Sequence, residues 1–233
     1  MKDQYFGDFG DYQKISLLQI LKNQGLNITT YWMKTADDGS TDGKHITYLN
    51  KPLLWRSYEP EIFDFLNEKI TQNKRLLSHI ETSRYCKGIE FLNNNIELPE
   101  DRDEVFKKLL INRSNLIFFD PDNGIEVKST TSKNSHKYVL WKEITSVYQS
   151  KKSILIYQHF SRSNRDKFIR EKLAELKNKI NAYVVALKVK HSVYFFVLHK
   201  KDIPNVSKAL SVYSKTWHDL SRIYEPEKIT IKE

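Results

Sequence analysis

Residues 115–129 read NLIFFDPDNGIEVKS, an apolar run that breaks into an acid-rich turn. Asn115 to Phe119 has the length of a strand and no polar alternation within LIFF, the pattern of a strand covered on both faces of a parallel sheet. A second such run, SILIYQ at 153–158, is separated from the first by residues 138–148, which read as a helix. Strand, helix and strand in this order predict a mainly parallel sheet with right-handed crossovers.

The rest of the chain extends that pattern. Gln13 to Lys22 carries Ile15, Leu17, Leu18, Ile20 and Leu21 ahead of Gly25 and reads as a buried helix with a glycine stop. NITTYWM (27–33) reads as a strand, RYCKGIEFL (84–92) as a weaker one, and Pro60 to Thr71 as a helix. Val105, Phe106, Leu109 and Leu110 mark a short helix, and Asn164 to Ile180 an amphipathic one. AYVVALKV and VYFFVL, at 182–189 and 193–198, are parted only by KHS, which allows a hairpin but no helical crossover. The expected fold is α/β and Rossmann-like: a mostly parallel sheet, helices on both faces, and a C-terminal antiparallel hairpin from about Ala182 to Leu198. Residues 1–233 are expected to form one domain, with room for a small insertion at about 36–60.

The 233 residues carry 38 Lys and Arg against 29 Asp and Glu, a formal charge of +9, which favours a polyanionic partner such as nucleic acid. A single cysteine, Cys86, excludes an internal disulfide and a two-cysteine zinc site, and fits a reducing compartment. Acids interrupt MKDQYFGDFGDYQK where a signal peptide needs an apolar core, and no run approaches eighteen apolar residues. The chain is expected to be a cytoplasmic protein with no membrane partner. Its oligomeric state is not legible.

Ligands of open α/β sheets bind beyond the carboxyl ends of the strands. Asp120-Pro121-Asp122-Asn123 and Gln158-His159-Phe160 both follow strands and should face one crevice. Every residue of the first turn is a good turn former, yet two close carboxylates exceed what a surface turn needs. Three uses are open: Asp120 accepting a hydrogen bond from an exocyclic amine, Asp120, Asp122 and Glu126 holding Mg²⁺, or mutual repulsion leaving one acid as a proton carrier. PD followed by EVK also invites a metal-nuclease reading with Lys128 stabilising charge, although such enzymes place these groups on neighbouring strands. His159 reads as an acid/base group, or as a histidine satisfied by backbone at a strand end. Arg162, Arg165, Lys167, Arg170 and Lys172 against Asp166 and Glu171 give a local 5 − 2 = +3, suited to phosphate. Tyr157 and Phe160 are the aromatics expected to stack on a base. Asp120→Asn is expected to change stability by no more than about 1 kcal/mol, as a substitution outside the core.

The sequence resembles class I S-adenosylmethionine-dependent methyltransferases, especially the bacterial 23S ribosomal RNA adenine-N6 methyltransferases. That family opens with H-A-G-N-x-A-D-x-x-K-H; here Tyr5-Phe6-Gly7-Asp8-Phe9-Gly10-Asp11-Tyr12-Gln13-Lys14-Ile15 occupies the frame, matching at Gly7, Asp11 and Lys14 with both histidines replaced. Its D-P-P-Y, which holds the target amine, corresponds to Asp120-Pro121-Asp122-Asn123, lacking the second proline and the aromatic. The resemblance implies S-adenosylmethionine as cofactor, Gly7, Asp11 and Lys14 near it, the Gly7 to Lys14 segment packed near the Asp120 turn, and an adenine in RNA or DNA as the target. The glycine turn that such enzymes place after the first strand is represented only by Gly39 and Gly43. A catalytically degenerate nucleic-acid-binding protein is the runner-up.

Overall fold

The computed structural model describes the chain except residues 36–42, 44, 93–98, 161–163 and 227–233, and the side chains of residues 99–101. Gly39 and Arg162 therefore lie outside the described residues. In chain order the elements are α1 (Phe9–Asn23), β1 (Ile28–Tyr31), α2 (Pro52–Trp55), α3 (Pro60–Thr71), α4 (Ser78–Glu81), β2 (Glu90–Leu92), α5 (Pro99–Ile111), β3 (Leu116–Phe119), β4 (Gly124–Ile125), β5 (Tyr138–Val139), α6 (Trp141–Gln149), β6 (Ser153–His159), α7 (Arg165–Ile180), β7 (Tyr183–Lys188), β8 (Ser192–Leu198), α8 (Ile203–Thr216) and β9 (Arg222–Tyr224).

Seven strands form one sheet in the order β2-β1-β3-β6-β8-β7-β9. β2, β1, β3 and β6 pair in parallel, while β8 runs against both β6 and β7, and β9 against β7. Five of the seven strands thus share one direction, and the 182–198 hairpin is antiparallel as the short KHS linker requires. β3 is buried at all four positions and β8 at all seven, so neither strand shows alternation. α1, α3 and α8 supply the apolar layer on one face, where Leu17, Phe63 and Leu210 share one cluster with Phe118 and Phe196. On the other, Phe106, Ile144 and Leu173, from α5, α6 and α7, cover Ile117, Ile156 and Phe195. The architecture is a Rossmann-like α/β layer structure.

The predicted helix at 138–148 starts only at Trp141: Tyr138 and Val139 pair instead with Gly124 and Ile125 in a separate two-stranded sheet. Buried Arg102 holds this excursion, donating to the carbonyls of Ser135 and Tyr138 and pairing with Glu143. Of the weak strand read at 84–92, only Glu90–Leu92 is extended, because Arg84–Cys86 forms a short 3-10 turn. Among the described residues no helix is long and apolar enough to cross a membrane.

Candidate functional site

The site gathers at the carboxyl ends of β1, β3 and β6. Asp8 caps α1 by accepting from the backbone N–H of Asp11, and the turn before it bends back so that the N–H of Gly7 donates to Asp11 Oδ2, 3.0 Å away. One helical turn later Lys14 reaches across the sheet end. Its Nζ lies 2.8 Å from Asp120 Oδ2 and 3.2 Å from Asp11 Oδ1, over the ring of Tyr157 at 4.8 Å and that of Trp32 at 5.4 Å. Lys14, Asp11 and Asp120 are all buried.

Asp120 directly follows β3, its N–H donating to the carbonyl of Tyr31. At 2 % exposure it belongs to the core, so the expectation that Asp120→Asn lies outside the core is corrected: the substitution removes one charge of a buried ion pair. Asp120 lies behind the cleft wall and Asp122 on it. Asp122 is also less free than a turn residue should be, because the amino group of Met1 stands 2.7 Å from Oδ1 and Thr35 donates to Oδ2 at 2.9 Å. Gln158 fixes the rest of the turn by donating to the carbonyl of Asn123 and accepting from the N–H of Ile125. That contact needs a glycine at 124, where φ is +95° and a Cβ would stand 2.1 Å from the Gln158 amide.

These groups border a cleft of about 390 Å³, lined by Tyr5, Asp8, Asp11, Lys14, Gly43, His45, Asp122, Asn123, Lys137, Tyr157 and His159 among others. Its size falls in the range of small-molecule sites. Gly43 is there because its backbone passes so near the N-terminal segment that a Cβ would meet the carbonyl of Gln4 at 2.5 Å. The two turns expected to share a crevice do so, through Asp122, Asn123 and His159. Phe160, Arg165 and Arg170 do not join them. Phe160 packs edge-on against Phe168 under the Arg165 guanidinium, and Arg170 borders a separate depression beside Glu225. Glu126 is also elsewhere: it accepts from the N–H of Trp141 at the start of α6. Asp8, His45 and Lys137 line the cleft although sequence reading did not single them out. The start of α1 signalled Asp8 as a cap; nothing local marks His45 or Lys137.

In the cluster around Lys14 the charges do not balance if every group ionises. Asp8, Asp11 and Asp120 against Lys14 give −3 + 1 = −2. Burial raises the pKa of Asp11 to about 7 against the pull of Lys14, and raises Asp8 as well. Burial works against the Lys14 ammonium, but Asp120 and Asp11 outweigh it and hold its pKa above the ordinary lysine value. Asp11 therefore keeps a proton in the folded chain that the unfolded chain loses near its ordinary 3.8. Between those two values the folded state binds more protons, so this group makes stability fall as pH rises from about 4 to about 7. Melting curves of Asp11→Asn and of the unaltered protein across that range should show the slope reduced in the variant; equal slopes would refute the assignment.

No family model matches the chain, and no curated protein does. Among solved structures, the chain is similar to protein LPL1258 from Legionella pneumophila str. Philadelphia 1, of family model DUF519. The identity is 11 % and the TM-score 0.46, over 95 % of this chain and 98 % of that one. It is also similar to human methyltransferase-like protein 13 in complex with SAH, at 12 % identity and TM-score 0.37, over 93 % and 95 %.

The residues of the cleft suit a cofactor that carries both charges. Asp8 and Asp122 offer carboxylates, Lys137 a cation, and His45 and Tyr5 flat polar rings. The segment after β1 differs from a glycine turn, since Met33 itself takes the left-handed conformation there (φ 47°).

Proposed function

We propose that this protein is an S-adenosylmethionine-dependent methyltransferase that acts on a ring or exocyclic amine of a nucleobase, adenine first, in RNA or DNA. One observation carries the reading: the sheet reverses β8 between β6 and β7, and in that frame Asp120-Pro121-Asp122-Asn123 closes β3 and is tied to α1 through Lys14. This is the arrangement the sequence resemblance implies, with the amine-binding turn and the opening motif side by side.

S-adenosylmethionine supplies an electrophilic methyl group on a sulfonium. Asp8 would hold its cationic end and Lys137 its carboxylate. The side chains of Asp122 and Asn123 present acceptors to the hydrogens of an amine, orienting the nitrogen lone pair along the line of attack. Asp120 holds the turn in register through Lys14. Methylation would release a proton from the amine, and His159, which lines the cleft and is kept neutral by desolvation, would accept it. Most of the acceleration comes from positioning.

Calorimetric titration with S-adenosylmethionine, with and without Mg²⁺, tests the reading together with transfer of a labelled methyl group to mixed RNA and DNA. Binding and transfer that ignore Mg²⁺ are expected. Strand cleavage requiring Mg²⁺, or no heat of binding at all, would defeat the proposal; binding without transfer would mark a degenerate enzyme.

A further inference from the structure

Beyond the cleft, at the carboxyl ends of β6 and β7, lies a second depression of about 180 Å³. The turn between β7 and β8 supplies Lys190 and His191, α2 supplies Trp55 at its end and Lys51 just before its start, and His45 borders both this groove and the cleft. The described residues lining the groove include no carboxylate. Lys190 is held in place by rings, its Nζ 4.1 Å from the centre of Trp55 and 4.9 Å from that of Phe9. His45 and His191 stack at 6.0 Å with planes 15° apart. Arg165, read from sequence as a phosphate contact, braces the turn instead by donating to the carbonyl of Lys190 at 3.2 Å. In α2, between the groove residues Lys51 and Trp55, Leu53 is 98 % exposed and Leu54 61 %.

We infer that this groove binds the sugar-phosphate backbone of a nucleic-acid strand whose reacting nucleotide enters the neighbouring cleft, with Leu53 and Leu54 against the bases beside it. The inference rests on the nucleobase reading given above. Its own support is physical. Cations gathered without counter-charges repel one another, and burial together with Lys51 lowers the pKa of Lys190. A phosphodiester chain removes that repulsion and releases its own condensed counterions. Bare leucines beside such a track match the apolar wedges that enter between base steps, and extruding a base leaves a gap for one to fill.

The test is fluorescence anisotropy with labelled single-stranded RNA and DNA of about 16 nucleotides, the upper site size of a single-strand binder, at several salt concentrations. Lys51→Glu, on an exposed side chain that folding does not need, should weaken binding roughly tenfold, and Lys51→Ala with Lys190→Ala should lower the salt slope by about 1.4. Leu53→Ser with Leu54→Ser should weaken binding at unchanged slope. Unaltered affinity and slope in the lysine variants would overturn the groove, as would competition by polyglutamate equal to that by unlabelled oligonucleotide. The parent reading fails separately. Oligonucleotide binding that depends on Lys51 without any binding of S-adenosylmethionine leaves the groove and removes the transferase. Binding of S-adenosylmethionine with no oligonucleotide binding at low salt does the reverse.

Discussion

Lys14→Met should be the most damaging single substitution in the site, lowering stability by about 3–5 kcal/mol. Methionine fills the space between Trp32 and Tyr157 but leaves Asp120 and Asp11 in the core without their cation. An uncompensated buried charge is worth far more than the pair it came from. For a protein with roughly 5–15 kcal/mol in total, the loss shifts Tm by on the order of 10 °C. Adding Asp11→Asn and Asp120→Asn to Lys14→Met should restore much of it, because the cost lies in the orphaned charge and not in lost contact area. A Lys14→Met variant melting within about 2 °C of the parent would show that these groups are hydrated and not paired.

Asp120→Asn should have the largest effect on turnover. Asparagine keeps the shape of the turn, so its backbone bond to Tyr31 survives, and Lys14 retains Asp11 as a partner. The stability cost is then about 1–3 kcal/mol, the price of one weakened buried contact. Methyl transfer should fall by about 100-fold, because the Lys14 bridge that fixes the turn over the cleft is loosened and small misplacements of reacting atoms cost that much. The measurement is kcat and KM at a temperature where both proteins are folded. A fall confined to kcat is expected; a kcat within a few-fold of the parent would reduce Asp120 to a purely structural residue.

What could be read from the sequence follows from how locally each element is determined. Leu116–Phe119 and Ser153–His159 were legible because a strand buried on both faces must be apolar at successive positions. α8 was equally legible but passed over: Val206, Ala209, Leu210 and Tyr213 fall at helical spacing after Pro204. β9 was not, since Arg222-Ile223-Tyr224 is extended only through pairing with β7. In the site, the approach of Lys14 to the Asp120 turn came from the resemblance, and no local periodicity contains it. The basic groove was hidden for the same reason. His45, Lys51 and Lys190 are each ordinary in their own segment and become a track only where the turns of α2 and β7–β8 converge. The Arg162–Lys172 run stood out because its charges are contiguous, yet α7 directs Arg165 and Arg170 to different neighbours.

The ion pair between Lys14 and Asp120 joins positions 106 residues apart. At a synthesis rate of about 5–20 residues per second, roughly 5–20 s separate the emergence of the two partners. During that interval α1 can form as a helix, but its ammonium remains in water and its carboxylates remain ionised. β8, which must enter between β6 and β7, arrives later still, and such distant pairings make assembly of the sheet slow. Truncated chains that stop before β3 therefore lack the buried charge cluster altogether, and the cleft comes into being only when segments made many seconds apart close on one another.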